Sequence, residues 1–179
     1  GLDKRIGDKF LHPGPGYGGS CFPKDTIALS KIASDNNVDL SIINNVISYN
    51  KNRKKSLIKK INHILGNDIK DMSVAVLGLS FKPGTDDMRE SPSLDLIPSL
   101  VENVKEIKVY DPIAMDEASK YIKDVYFADN IEDCIDNVDV TIILTEWSEF
   151  RTLSAQYLSK FMKGNIAVSY THLTLPTTQ

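Results

Sequence analysis

One cysteine stands out by its company. Cys21 follows Pro13-Gly-Pro-Gly-Tyr-Gly-Gly-Ser20 and precedes Phe-Pro-Lys-Asp25. Glycines let a backbone approach a ligand closely and turn its N–H groups toward it. A thiol beside an ammonium such as Lys24, near a helix start, is shifted toward the thiolate, the form that attacks an electrophilic carbon. Asp25 stands where it could cap a helix beginning at Thr26. A cysteine taken at random is more often a small buried hydrophobe. That is the reading for Cys134, which lies among Glu132, Asp133 and Asp136. His12, His63 and His172 are not spaced as metal ligands, so no metal is expected.

The elements that position this loop are readable in outline. The Pro- and Gly-rich first 25 residues cannot form a regular helix. A short helix is expected over 26–33. Ile43, Val46, Ile47, Leu57, Ile58, Ile61, Ile64 and Leu65 recur at three- and four-residue intervals. That is the one-face signature of a long helix, with Asp39 or Ser41 at its start and Gly66 at its end. Its stripe should pack on another domain or subunit. The basic residues Lys51, Arg53, Lys54, Lys55, Lys59 and Lys60 read as its solvated face. After a linker at 66–73 the texture changes. Apolar runs at 74–79, 107–110, 125–128, 138–144 and 166–168 read as strands. Between them, helices are expected over 91–104, 115–122, from 131 and over 153–162, with a kink or stop at Pro98. Alternating strands and helices predict a parallel, doubly wound sheet. Ligands on such sheets sit at the strands' carboxyl ends, here residues 78–85, Asp111-Pro112 and Thr145-Glu-Trp147.

Composition narrows the classes. The chain has 179 residues and a formal net charge of −3, against a dedicated nucleic-acid binder. Its apolar runs are far shorter than a membrane span. Two cysteines are too few for a disulfide framework, so a reducing cytoplasm is the default setting. The absence of an initiator methionine suggests a piece of a longer protein. The uncharged, threonine-rich stretch 169–179 has no helical period and does not read as the strand and turn with which a sheet domain should continue.

Several motifs in order carry a resemblance. These are Gly1-Leu-Asp-Lys-Arg-Ile-Gly7, Phe10-Leu11, Gly16-Tyr-Gly-Gly-Ser-Cys-Phe-Pro-Lys-Asp25, Leu77-Gly-Leu-Ser-Phe-Lys-Pro-Gly-Thr-Asp-Asp-Met-Arg-Glu-Ser-Pro92, Tyr110-Asp-Pro112 and Leu144-Thr-Glu-Trp147. Together they resemble the UDP-glucose/GDP-mannose dehydrogenase family, and most closely its members acting on UDP-glucose. The resemblance implies a helical central dimerisation region with the cysteine loop and long helix over 1–66. A Rossmann-like parallel-sheet domain binding the UDP-sugar would follow over 67–168. It implies NAD-dependent oxidation of UDP-glucose to UDP-glucuronate without a metal. Cys21 would trap the intermediate aldehyde as a thiohemiacetal and carry it through a thioester, and Asp25 would position or activate the water that releases the acid. It assigns Lys24 and Arg89 to NAD⁺. The nucleotide sugar would be contacted by Arg5 (toward the neighbouring subunit), Phe10, Leu11, Gly16, Tyr17, Gly18, Gly19, Phe81 and Lys82. It implies a homodimer through the long helix.

Plainer readings stand beside these. Lys82 and Arg89 could be solvated charges, Phe81 core, and Arg5 a surface partner of Asp3 or Asp8. The glycines at 78 and 84 do not form a Gly-x-Gly-x-x-Gly fingerprint, consistent with a sheet that does not hold the dinucleotide. The family's amino-terminal NAD domain has no counterpart here, so the chain alone is expected to be inactive. The alternatives are a dehydrogenase of GDP-mannose or a UDP-N-acetylhexosamine, and a non-catalytic binding or dimerisation module.

Overall fold

The computed structural model describes residues 2–7, 14–66 and 69–170. A turn at residues 3–6 precedes the loop that leads into α1 (Phe22–Asp35) and α2 (Ser41–Leu65). A single 3₁₀ turn at 69–71 then leads into a sheet unit: β1 (Ser73–Leu77), α3 (Ser93–Val101), β2 (Glu106–Tyr110), α4 (Met115–Tyr121), β3 (Tyr126–Phe127), α5 (Ile131–Ile135), β4 (Val140–Ile143), α6 (Ser148–Arg151), α7 (Ala155–Phe161) and β5 (Ile166–Ser169). The expected parallel sheet is present. Its order is β3-β2-β1-β4-β5, and Val76 of β1 lies between Val109 of β2 and Ile142 of β4. The direction of winding reverses between β1 and β4, where such sheets form their crevice.

β1 shows how the sheet is covered. Its side chains alternate by the two-residue period of a strand. Val74 and Val76 enter a core built with Ile97, Leu100 and Val109, whereas Ala75 and Leu77 enter a second core with Cys134, Ile135, Ile143 and Phe150. The long helix belongs to both parts of the molecule. Ile61 and Leu65 at its C-terminal end are buried in the first core, while Ile42 and Tyr49 near its start stay exposed. At its start Asp39 Oδ1 accepts the Ser41 N–H at 3.0 Å.

Several expectations need correction. α1 begins at Phe22 with Cys21 as its N-cap residue, because Pro23 is well tolerated in a first turn, where no N–H is needed. Asp25 is therefore inside the first turn and caps nothing; its own N–H donates to the Cys21 carbonyl at 2.8 Å. α3 does not stop at Pro98 but runs to Val101. A proline that far into a nine-residue helix forfeits one N–H donor, and the buried side chains of Leu96, Ile97 and Leu100 hold the helix. The short α6 had no periodicity long enough to announce it. Lys54 is the exception on the basic face: its side chain is only 9% exposed.

Candidate active site

The loop after β1 is fixed first. Asp111, at the end of β2 and 1% exposed, takes donors from three separate loops. Its Oδ2 accepts from the N–H groups of Leu79 (2.8 Å) and Ser80 (3.2 Å), the Ser80 hydroxyl (3.1 Å) and the Trp147 indole (3.2 Å). Its Oδ1 accepts from the N–H groups of Ile113 (3.0 Å) and Ala114 (2.9 Å). Thr145 adds a hydroxyl bond to the Ser80 carbonyl at 2.7 Å. Gly78 allows this closeness: with φ +90°, a Cβ there would lie 2.6 Å from Thr145. A carboxylate so fully engaged is not free to bind a ribose, the service an acid at this position gives in dinucleotide-binding sheets.

The cysteine loop docks on this scaffold. The Gly19 N–H donates to the Arg89 carbonyl at 2.8 Å. A Cβ on Gly19 would meet the Phe81 ring at 2.6 Å, and one on Gly18 would meet the Glu90 carbonyl at 2.7 Å. These two glycines are buried and used for packing. Tyr17 is held from α2: its N–H donates to Asn50 Oδ1 (2.9 Å) and its carbonyl accepts from Asn50 Nδ2 (3.0 Å). Its ring meets Phe22 edge-on at 4.7 Å.

The residues named from sequence fall into groups. Cys21 is exposed, with the Ser20 hydroxyl 3.5 Å from its sulfur. Lys24 and Asp25 are exposed and paired at 2.9 Å. Lys24 and Arg89 line one cleft of about 480 Å³, together with Gly19, Ser20, Pro23 and Tyr121. Arg89 is held by a two-pronged bond to Asp87 at 2.9 Å. Its guanidinium keeps the Asp87 carboxyl below the ordinary carboxylate range, mainly through that hydrogen bond. Lys24 is raised above its ordinary value by its hydrogen bond to Asp25, then by the charge of Asp25, with a smaller contribution from Cys21. Lys82 is exposed, its ammonium 5.4 Å from the centre of the Phe81 ring. Arg5 is exposed and pairs with Asp3 at 2.7 Å. Phe10 and Leu11 lie outside the described residues. Cys134 is buried, and burial pushes its thiol up to about 12. Among the described residues no group could hold a metal, and no helix is long and apolar enough to cross a membrane.

The sheet half of this arrangement, residues 75–174, matches the model of the UDP-binding domain of the UDP-glucose/GDP-mannose dehydrogenase family, and residues 1–52 match that family's central domain. The chain belongs to the UDP-glucose/GDP-mannose dehydrogenase family. It is 44% identical over 168 residues to a protein of Rhizobium meliloti named UDP-glucose 6-dehydrogenase, covering 94% of this chain and 38% of the relative. A Rickettsia conorii protein of the same name is 39% identical over 175 residues, covering 97% and 40%. Among solved structures, a UDP-glucose dehydrogenase from the archaeon Pyrobaculum islandicum superimposes with a TM-score of 0.81 at 32% identity, covering 97% of this chain and 39% of that one. The chain thus spans about two fifths of the length of these relatives.

Sequence reasoning missed three members of the site. Asn50 carries no sequence signal of its own, Lys54 reads as one of six solvated basic residues, and Glu90 stands in the Leu77–Pro92 motif without an assigned role.

Proposed function

We propose that this chain is the thiol-bearing, nucleotide-sugar-binding part of an NAD-dependent UDP-glucose 6-dehydrogenase, an oxidoreductase making UDP-glucuronate. The observation that carries this reading is the joint between Cys21 and the loop after β1. An exposed thiol at a helix start follows Ser20, which lines a cleft with two cations, Lys24 and Arg89. Such a pair fits a diphosphate, so Lys24 and Arg89 are the residues that would hold the phosphates of NAD⁺. NAD⁺, when bound, supplies the hydride acceptor.

The chain's own residues perform the rest. The Cys21 thiolate adds to the carbon of the sugar aldehyde; a C–S bond forms and the carbonyl electron pair moves to oxygen, which takes a proton. Once this adduct has been oxidised to the thioester, Asp25 orients water and takes its proton as the C–S bond breaks, returning the thiolate. Tyr17, the backbone at Gly16, and Phe81 and Lys82 shape the sugar and phosphate side, with Gly18 and Gly19 packed behind them against Glu90 and Phe81. Phe10, Leu11 and, from a second copy, Arg5 complete it. The regions 1–66 and 67–168 act as the central and UDP-sugar-binding domains. A homodimer covers the apolar surface of α1 and the start of α2, where Ile27, Ile32, Ile42 and Tyr49 are exposed. A free thiol nucleophile suits the reducing cytoplasm.

Titration calorimetry of the purified chain with UDP-glucose and with NAD⁺, separately, tests this. UDP-glucose is expected to bind weakly and NAD⁺ not measurably. Preference for GDP-mannose or a UDP-N-acetylhexosamine would move the substrate assignment. With an amino-terminal NAD domain joined to the chain, Cys21→Ser should abolish turnover; full activity in that variant would remove the thioester route.

A further inference from the structure

We infer that one face of α2, carrying Asn50 and Lys54, is the device that positions the Cys21 loop, with Lys54 acting through Glu90 as a positioning residue. The inference rests on the reading of Cys21 as the nucleophile. Asn50 and Lys54 are four residues apart, so they lie one above the other on the same helix face. Asn50 holds the loop directly, by the two bonds to the Tyr17 backbone. Lys54 holds it from the other side. Its buried ammonium donates to Glu90 Oε2 at 2.8 Å and lies 3.6 Å from Asp95 Oδ2, in the first turn of α3.

Glu90 is the link. Its φ is +56°, the left-handed region that a residue with a Cβ adopts only when its surroundings hold it there. In that conformation its carbonyl lies against Gly18, and the carbonyl of Arg89 before it accepts from Gly19. Lys54 therefore fixes the side chain of the residue whose carbonyl seats Gly18 and whose neighbour Arg89 holds Gly19, and Cys21 follows two residues later. Arg89, one of the two cations of the cleft, is the neighbour of Glu90 in the same turn. The same ion pair thus sets the spacing between the thiol and that cation. A lysine nine-tenths buried on an otherwise solvated basic face is costly to keep. The loop it organises gives that burial a purpose.

Amide hydrogen exchange on the purified chain tests the inference. The readout is the two bonded amides of the loop, Tyr17 and Gly19, with β1 and β4 as internal references. Lys54→Met keeps the aliphatic stem and removes the charge. It should speed exchange at Gly19 about tenfold or more while β1 and β4 stay unchanged, and Lys54→Arg should restore it to within about twofold. Asn50→Ala should speed exchange at Tyr17. A folded Lys54→Met chain with unchanged exchange at Gly19, or with equal acceleration in β1 and β4, would overturn the inference. If Lys54→Met does not fold, Glu90→Ala decides: selective acceleration at Gly19 supports the coupling, and an unchanged amide refutes it. None of these readouts depends on nucleotide-sugar binding or turnover, so a failure of the loop coupling is distinguishable from a failure of the proposed activity.

Discussion

In β1 every residue from Ser73 to Leu77 is buried, whereas α1, a helix of 14 residues, buries only Pro23 and Ala33. The open sheet is packed on both sides. Its strand ends are tied through Asp111 and both its faces are covered. The cysteine segment leans on the sheet along one seam and leaves its chemistry-bearing side chains in solvent. α2 crosses between the two regimes, with Ile61 fully buried and Ile42 78% exposed. The difference teaches where stability and reactivity are kept apart. Hydrophobic burial and satisfied polar groups hold the scaffold, and the reactive groups stand on a seam whose hold is polar and local.

The two thiols give the largest contrast. Iodoacetamide should label Cys21 promptly, while Cys134 waits for opening of the sheet. The rates should differ by roughly 10³-fold or more, the order set by the stability of a folded core. Mass spectrometry of the labelled peptides measures both. Similar rates would mean that the sheet is not a protected core.

Asp111→Ala removes the acceptor for donors from three loops and leaves them unpaired in a buried place. It should destabilise the chain by about 3–5 kcal/mol in urea unfolding, more than any substitution at Cys21, Lys24 or Asp25. A loss under about 1 kcal/mol would show that water replaces the carboxylate.

The halves of α2 can be set against each other. Ile61→Ala should cost about 2–5 kcal/mol and Ile42→Ala no more than about 0.5 in the monomeric chain. Equal costs would mean that the start of α2 is already covered, as in a stable dimer. Sedimentation of the same samples would show it.

The smallest effect is a pH dependence. The Ser73 N–H and, less strongly, Lys163 hold the Asp139 carboxyl below its ordinary value. A carboxylate depressed in the folded state contributes stability above its unfolded value and loses it as pH falls through the folded one. Asp139→Asn should therefore flatten the stability profile below about pH 4 by about 1 kcal/mol, with little change in shape at neutral pH. Urea titrations from pH 7 down to pH 2 read this directly.

How much could be read in advance depended on the range of the interaction. The branched run Val74-Ala-Val-Leu77 announces a buried strand on its own, as does Val140-Thr-Ile-Ile143, because each residue's choice is dictated by burial on both faces. Asp111 announces the carboxyl end of a strand before Pro112 and nothing of what it binds. Its donors come from residues as distant as Leu79 and Trp147, and no local pattern points to them. Lys54 sits among lysines of identical chemistry, and only the approach of Glu90 separates it from them. Asp25 lies inside the first turn and not at the cap because Pro23 is accepted there, and the apolar spacing from Ile27 onward does not show where the helix starts.

The sequence by itself determined the alternation of strands and helices, the long amphipathic α2, the family, and the identity of the residues able to do chemistry. These are properties of side-chain type and short-range period. Only the tertiary structure decided that Lys24 and Arg89 share a cleft, that Gly18 and Gly19 are packing surfaces under Phe81 and Glu90, and that Asn50 and Lys54 hold the loop of Cys21. Those relations join residues more than thirty positions apart. They exist only once the sheet has buried its apolar faces and fixed, to within a hydrogen-bond length, where each loop must lie.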